Sequence, residues 1–258
     1  MSEELLNIRG VSKHFGGVKA VDNLSFHVPH GVIKAIIGPN GAGKTTLFNL
    51  ISGNLRPTTG RIELNGRDVT RVPDHRKVYQ GVTRTFQTTR VFYNMSVLEN
   101  VMLGRHPRSR SGFLSAAFRM PWMLREEHAI RKAAMNSLEF VGLTELADHP
   151  SDTLSFMQQR LLEFARALAT EPQLLLADEP AAGLNSRETK DVAALVRRIN
   201  HHGITVLIVE HDMSLVMDIS DEILVLNYGS KIAEGPPSEI RLNKDVIDVY
   251  LGRRSDHA

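Results

Sequence analysis

The sequence predicts an α/β fold built around a parallel sheet that is covered on both faces. Three short apolar runs, at residues 32–37, 173–177 and 204–209, supply its central strands. Continuous apolar runs of this length are typical of strands buried on both sides. Between the second and third runs, apolar side chains recur at helical spacing over residues 192–199. A strand, a helix and a strand in this order indicate a crossover between parallel strands.

The ends of the chain predict antiparallel hairpins in addition to the parallel sheet. Residues 5–28 and 60–69 alternate between apolar and polar side chains, with turns at Gly16-Gly17 and Asn65-Gly66. A further hairpin is expected around residues 227–229. We therefore expect an antiparallel β subdomain beside the parallel core.

The middle of the chain is helical in pattern and poorer in β-branched residues. One amphipathic helix there is marked by Ile130, Ala134, Leu138 and Val141. We expect one domain of residues 1–258, in which residues 1–87 and 161–258 form the α/β core with its β subdomain. Residues 88–160 then form an inserted α-helical subdomain.

Composition excludes several classes of protein. The 258 residues are 42% hydrophobic and 23% charged, which excludes intrinsic disorder. Lys and Arg (31) nearly balance Asp and Glu (29), so no nucleic-acid partner is expected. The absence of Cys excludes disulfides, thiolate metal sites and a Cys nucleophile. No apolar run approaches the roughly 18 residues of a membrane helix, and the acidic start is unlike a signal peptide, so any membrane role is expected to be indirect.

A phosphate-binding loop follows the first predicted strand. It fits the pattern G-x-x-x-x-G-K-[ST] and consists of Gly38, Pro39, Asn40, Gly41, Ala42, Gly43, Lys44, Thr45 and Thr46. Glycines allow backbone N–H groups to wrap a polyphosphate, and the start of the following helix favours the anion. A glycine-rich turn without a ligand is the alternative. The strand before the motif and the apolar helix after it favour the phosphate site.

Five side chains in or near this loop fit the chemistry of nucleotide hydrolysis. Lys44 can reach the β- and γ-phosphates, and the Thr45 hydroxyl can ligate Mg²⁺. Asp178 ends the second predicted strand, where parallel sheets bind ligands, so it can hold Mg²⁺ directly or through water. Glu179 can polarise the attacking water. His211 follows the third predicted strand and is a candidate for contact with the γ-phosphate.

The chain resembles the ATP-binding subunit of an ABC transporter over essentially its full length. Residues 38–46 are similar to the Walker A motif, and residues 174–179 to Walker B with its catalytic Glu179. The resemblance implies a RecA-like P-loop NTPase core. It assigns Gln87 to the Q-loop glutamine, a catalytic and Mg²⁺-binding residue, and His211 to the switch histidine. It assigns Phe15 to the aromatic that stacks on adenine and residues 182–185 to the D-loop.

A narrower resemblance is to the LivG-type subunit of branched-chain amino acid importers. It is carried by residues 84–87, 179–185 and 210–213, and by the insert at 105–125 and the tail at 245–252. It implies ATP and Mg²⁺ as cofactors, a second and usually non-identical ATP-binding subunit, transmembrane permease subunits and, indirectly, a solute-binding protein. It also implies a peripheral position on the cytoplasmic face of the bacterial inner membrane.

The signature segment departs from the family pattern. Leu154-Ser155-Phe156-Met157-Gln158 stands where Leu-Ser-Gly-Gly-Gln is usual. By resemblance, Ser155 and Gln158 bind the nucleotide held by the other subunit. Met157 replaces a glycine, so its side chain can crowd the approach to that nucleotide. Alternatively, this flexible side chain turns away.

Three other functions share part of this pattern. A soluble regulatory or mechanical ABC-type ATPase has the same nucleotide motifs, but the chain has one cassette and no appended segment that binds DNA or the ribosome. Importers of urea, amides or other small solutes are related to the same group. A P-loop kinase would need an acceptor site in place of a signature and D-loop. The basic residues at 105–112 fit either a solvated loop or a partner contact.

Overall fold

The computed structural model describes residues 4–85, 91–105 and 121–251, except the side chains of 121–125 and 251. These residues form two compact units. The first unit contains the chain up to Lys77 and from Gln173 onwards, and the second unit is Val78–Pro172. The expected helical subdomain, residues 88–160, falls within the second unit, and its boundaries stay a prediction.

Secondary-structure elements are numbered along the whole chain. The first unit contains β1 (Glu4–Phe15), β2 (Val18–Pro29), β3 (Ile33–Ile37), α1 (Lys44–Ser52), β4 (Thr59–Leu64), β5 (Arg67–Asp68), α2 (Asp74–Lys77), β7 (Leu174–Asp178), α6 (Ser186–His201), β8 (Thr205–Val209), α7 (Met213–Ile219), β9 (Glu222–Asn227), β10 (Ser230–Gly235), α8 (Pro237–Ile240) and α9 (Lys244–Leu251). The second unit contains β6 (Val82–Arg84), α3 (Val97–Arg105), α4 (Pro121–Val141), α5 (Phe156–Leu168) and 3₁₀ turns at Val78–Gln80, Thr144–Leu146 and Ser151–Thr153.

The parallel sheet predicted from the apolar runs is present in the first unit. Its strands lie in the order β10-β9-β3-β8-β7. Strand β3 pairs in parallel with β8 and β9, and β7 pairs in parallel with β8. Every residue of β3, β7 and β8 is buried, as the continuous apolar runs predicted. The parallel arrangement places the carboxyl ends of β3, β7 and β8 at one edge of the sheet.

The three predicted hairpins are also confirmed. Strands β1 and β2 pair in an antiparallel manner, as do β4 with β5 and β9 with β10. The antiparallel sheet of the first unit has the order β2-β1-β4-β5. The turn between β9 and β10 places Gly229 against the phosphate-binding loop, where its N–H donates to the Ala42 carbonyl oxygen at 2.9 Å.

One charged residue lies inside the buried strand β3. Lys34 is fully buried, and its Nζ donates to the His27 carbonyl oxygen and to Glu222 Oε2, each at 2.8 Å. It also pairs with the carboxylate of Glu234. A buried ammonium is stable only when it is paired and hydrogen-bonded, and these three partners meet that requirement.

Among the described residues of the second unit, the helices α3, α4 and α5 form its body. The amphipathic pattern predicted in the middle of the chain corresponds to α4, in which Ala134 and Leu138 are fully buried. A Cβ on Gly104 of α3 would lie 2.4 Å from the Arg166 carbonyl oxygen of α5. Because real contacts of this kind are not shorter than about 3.0 Å, the glycine permits the close packing of α3 against α5.

Candidate nucleotide-binding site

The predicted phosphate-binding loop joins β3 to α1. Two of its glycines occupy positions that no other residue fits. A Cβ on Gly38 would lie 2.2 Å from the Leu226 carbonyl oxygen, and a Cβ on Gly43 would lie 2.4 Å from that of Ala20. Gly43 also has a φ of +103°, which L side chains rarely adopt. The glycines therefore allow the loop to lie directly against neighbouring backbone at the start of α1.

Lys44 lies across the inside of this loop. Its side chain is buried, and its Nζ donates to the carbonyl oxygens of Gly38 at 2.6 Å and Pro39 at 3.0 Å. Burial lowers the pKa of Lys44, and the nearby Glu179 carboxylate partly opposes that shift. The ammonium group is thus held by two neutral acceptors at the centre of the loop.

A cavity of about 330 Å³ opens beside the loop in the first unit. It is lined by Val18, Lys19, Ala20, Asn40, Gly41, Ala42, Gly43, Lys44, Thr45, Thr46, Glu179, His211 and Tyr228. The fold therefore brings the predicted loop together with two candidate residues that follow β7 and β8. A volume of this size is within the range of small-molecule sites.

Glu179 and His211 contact each other across the ends of two neighbouring strands. The Nε2 atom of His211 lies 2.9 Å from Oε1 of Glu179. An ionised carboxylate can only accept hydrogen bonds, so with Glu179 ionised the Nε2 atom carries the proton. Glu179 has a positive φ of +47°, and its N–H donates to the Val209 carbonyl oxygen at 2.9 Å. The backbone itself therefore directs Glu179 towards His211.

Glu210, which precedes His211, is a residue near the cavity that sequence reasoning missed. Its carboxylate is buried and accepts hydrogen bonds from the N–H groups of Ala181 at 2.8 Å and His211 at 3.1 Å. Burial raises the pKa of Glu210, the Glu179 charge adds to the increase, and the backbone N–H groups oppose it. The only sequence signal was a charged residue between a buried strand and a candidate histidine, which does not identify its partners.

Tyr228 lines the cavity and was not predicted either. It occupies the turn between β9 and β10 with a φ of +46°, and its side chain is 85% exposed. An exposed aromatic in a hairpin turn carries no pattern that links it to a loop nearly two hundred positions earlier. Backbone hydrogen bonds of Gly229 to Ala42 and Asp22 hold the turn beside the loop.

Several predicted site residues lie elsewhere. Phe15 is half-exposed at the end of β1, with Lys13 Nζ 5.0 Å from its ring centroid, and it is outside the set of residues that line the cavity. Ser155 and Gln158 belong to the second unit, where they cap α5: Ser155 Oγ accepts from the Gln158 N–H, and Gln158 Oε1 accepts from the Ser155 N–H. Gln87 and residues 106–120 of the basic insert lie outside the described residues.

The donor chemistry of the site fits Mg²⁺. Thr45 is exposed to the cavity, and Asp178 is buried where β7 ends at the same edge of the sheet, so this edge contains a hydroxyl and a carboxylate. Within the described part of the chain, no cluster of three or more His, Asp or Glu side chains could hold a metal ion. Mg²⁺ commonly takes only one or two protein ligands and completes its shell with water and phosphate. These residues suit such a shared ion.

Comparisons with known proteins determine the family. The family described as ABC transporter matches residues 21–182, and the one described as Branched-chain amino acid ATP-binding cassette transporter matches residues 230–256. The ATP-binding protein BraF of Pseudomonas aeruginosa is 44% identical over 98% of this chain and 99% of its own. The chain belongs to the ABC transporter family. LivG of Escherichia coli K12, also described as a high-affinity branched-chain amino acid transport ATP-binding protein, is 43% identical with the same coverage.

Solved ATP-binding cassettes share the fold. The ADP conformation of MJ1267, a cassette of an ABC transporter, has a TM-score of 0.85 and 35% identity, covering 97% of this chain and 99% of that one. A nucleotide-free cassette has a TM-score of 0.84 and 34% identity over 96% and 98% of the two chains. This cassette therefore has the predicted P-loop NTPase fold, binds nucleotide and is an ATPase. No helix among its described residues is long and apolar enough to cross a membrane.

Proposed function

We propose that this cassette hydrolyses ATP to power the import of branched-chain or related amino acids. The proposal depends on one observation: the phosphate-binding loop, Glu179 and His211 line the same cavity. The match of residues 230–256 to the branched-chain cassettes, and the names of BraF and LivG, support the solute class. Importers of urea, amides or other small solutes are the alternative.

The proposed hydrolysis assigns one task to each group. Backbone N–H groups of the loop and Lys44 bind the β- and γ-phosphates, because both donate to anionic oxygens. Mg²⁺, held by Thr45 and Asp178 and by Gln87 in the family pattern, supplies charge neutralisation of the phosphates when bound. Glu179 accepts a hydrogen bond from the attacking water and polarises it. His211 holds Glu179 in place and contacts the γ-phosphate.

The proposed partners follow from the family pattern. A second, non-identical ATP-binding subunit pairs with this one so that Ser155 and Gln158 reach the partner's nucleotide. Phe15 stacks on the adenine of the nucleotide bound by this chain. The transmembrane permease subunits hold the cassette on the cytoplasmic face of the bacterial inner membrane, and a solute-binding protein delivers the amino acid. ATP drives the cycle because it favours the closed pair over the open one.

The test is solute uptake in the native host after deletion of this chain. We expect loss of labelled leucine uptake, restoration by the wild-type chain and no restoration by Glu179→Gln. Loss of urea or amide uptake with normal leucine uptake identifies the alternative solute class. Failure of the tagged chain to co-purify with any polytopic membrane protein, with leucine uptake intact, contradicts the transport proposal and favours a soluble ABC-type ATPase.

A further inference from the structure

The buried carboxylate of Glu210 joins two loops at the edge of the parallel sheet. Glu210 directly follows β8, and its side chain is 4% exposed. One oxygen, Oε1, accepts from the Ala181 N–H at 2.8 Å, and the other, Oε2, accepts from the His211 N–H at 3.1 Å. One backbone donor from each of two loops thus meets the same carboxylate.

These two loops carry the pair whose geometry matters for hydrolysis. The loop after β7 presents Glu179, and the loop after β8 presents His211, with 2.9 Å between Oε1 and Nε2. The strands themselves fix the loops only as far as the pairing of Asp178 with Val209. Beyond that point, Glu210 is the side chain that connects the backbone of one loop to the backbone of the other.

The turn after β7 needs such support because its backbone is strained. Glu179 has a φ of +47°, a left-handed conformation that is unfavourable for a residue with a side chain. Its N–H is held by the Val209 carbonyl oxygen at 2.9 Å, and its carbonyl oxygen accepts from the Ala182 N–H at 3.1 Å. The Ala181 N–H of the same turn donates to Glu210.

We propose that Glu210 is a positioning residue that sets the separation of Glu179 and His211 by joining the loops after β7 and β8. Glu210 is absent from the residues that line the cavity, so it acts through these two side chains and not on the nucleotide. The inference rests on the proposed role of Glu179 and His211 in hydrolysis. It predicts a residue that controls turnover without controlling nucleotide affinity, since Lys44 and the phosphate-binding loop are held by other contacts.

Glu210→Gln is the direct test, in the full chain assembled with its transporter partners. A glutamine side chain offers one accepting oxygen, and its NH₂ group faces backbone donors that it cannot accept from. We expect kcat for ATP hydrolysis to fall by about 100-fold, because a displacement of about 1 Å at a reacting group costs roughly that much. KM and the affinity for a fluorescent ATP analogue should stay within about threefold of wild type, which is under 1 kcal/mol.

Three further variants separate positioning from folding. Glu210→Asp keeps the charge but is one methylene shorter, so we expect an intermediate kcat. Glu99→Gln is the matched control: Glu99 Oε2 also accepts a backbone N–H, from Ser96 at 2.7 Å, but it lies in α3 of the second unit, and kcat should not change. In a Glu179→Gln background, Glu210→Gln should lower the residual rate no further, because both changes remove the same contribution.

The outcomes distinguish this inference from the proposed function. Unchanged kcat in Glu210→Gln overturns the inference and leaves the hydrolytic role of Glu179 intact. Loss of ATP affinity together with kcat, or a further rate decrease in the Glu179→Gln background, assigns Glu210 to the stability of the fold and also overturns it. Absence of ATP hydrolysis by the wild-type assembly contradicts the proposed function itself.

Discussion

Replacement of Gly43 by alanine tests whether the phosphate-binding loop depends on close backbone contact. The added Cβ would lie 2.4 Å from the Ala20 carbonyl oxygen, whereas real contacts of this kind are not shorter than about 3.0 Å. The backbone φ of +103° adds a second penalty. The oxygen belongs to the peptide backbone of β2, so it cannot move aside as a flexible side chain would. The loop itself must be displaced.

The size of the effect follows from these two terms. A positive φ costs about 1–2 kcal/mol for alanine, and overpacking costs typically about 1–3 kcal/mol more. Nucleotide binding requires the undistorted loop, so we expect the free energy cost of overpacking to reduce the free energy of ATP binding by the same amount. At tenfold per 1.4 kcal/mol, we expect ATP affinity to fall by about 5- to 150-fold.

The assay is titration with a fluorescent ATP analogue, with Gly203→Ala as the matched control. Gly203 also has a positive φ, of +85°, but a Cβ placed on it meets no atom within 4 Å, and it is not among the residues lining the cavity. Gly203→Ala therefore has the conformational penalty without the steric clash, and its affinity for ATP should equal that of wild type. If Gly43→Ala also binds like wild type, the loop does not depend on this contact and the reasoning is refuted.

Three further predictions concern charge and packing. Lys44→Ala should weaken ATP affinity at least about tenfold, since it removes a charge-assisted donor, and unchanged affinity in the same titration would contradict the phosphate role. Burial lowers the pKa of Lys77 to about 8, so between about pH 8 and 10.5 the unfolded chain binds more protons and stability rises with pH. In urea unfolding, the free energy of unfolding of wild type should therefore increase relative to that of Lys77→Met across that pH range. The same pH dependence in both proteins would contradict the prediction. Met157 is half-buried. Met157→Gly should raise the ATPase rate of the assembled transporter. No gain in rate or coupling would contradict the prediction that Met157 crowds the nucleotide.

Local patterns were sufficient to predict much of the fold. The apolar runs predicted β3, β7 and β8 because a strand buried on both faces admits little but apolar side chains. The turns at Gly16-Gly17 and Asn65-Gly66 predicted two hairpins because positive φ restricts the choice of residue. Lys34 was beyond this reasoning, since its burial depends on Glu222 and Glu234, which lie far along the chain.

The residues of the site also divide into those that a local sequence pattern predicted and those that it did not. The phosphate-binding loop is a contiguous motif, and together with the apolar runs before and after it, it predicted the loop that the structure shows between β3 and α1. The positions of Glu179 and His211 after two parallel strands followed from the sequence, whereas the contact between their side chains was not predicted. Glu210 and Tyr228 were missed because their relation to the cavity depends on hydrogen bonds between loops remote in sequence, which no local pattern encodes.

The most direct test of the account is to measure ATP binding and ATP hydrolysis by Glu179→Gln in the assembled transporter. Glutamine keeps the size of the side chain but cannot accept a proton, so general-base catalysis, worth about 10²–10⁴-fold, is lost. The account predicts that hydrolysis falls by at least about 100-fold while ATP affinity matches wild type. Hydrolysis at the wild-type rate would contradict it, because the water would then be activated by a group other than the one that this cavity presents.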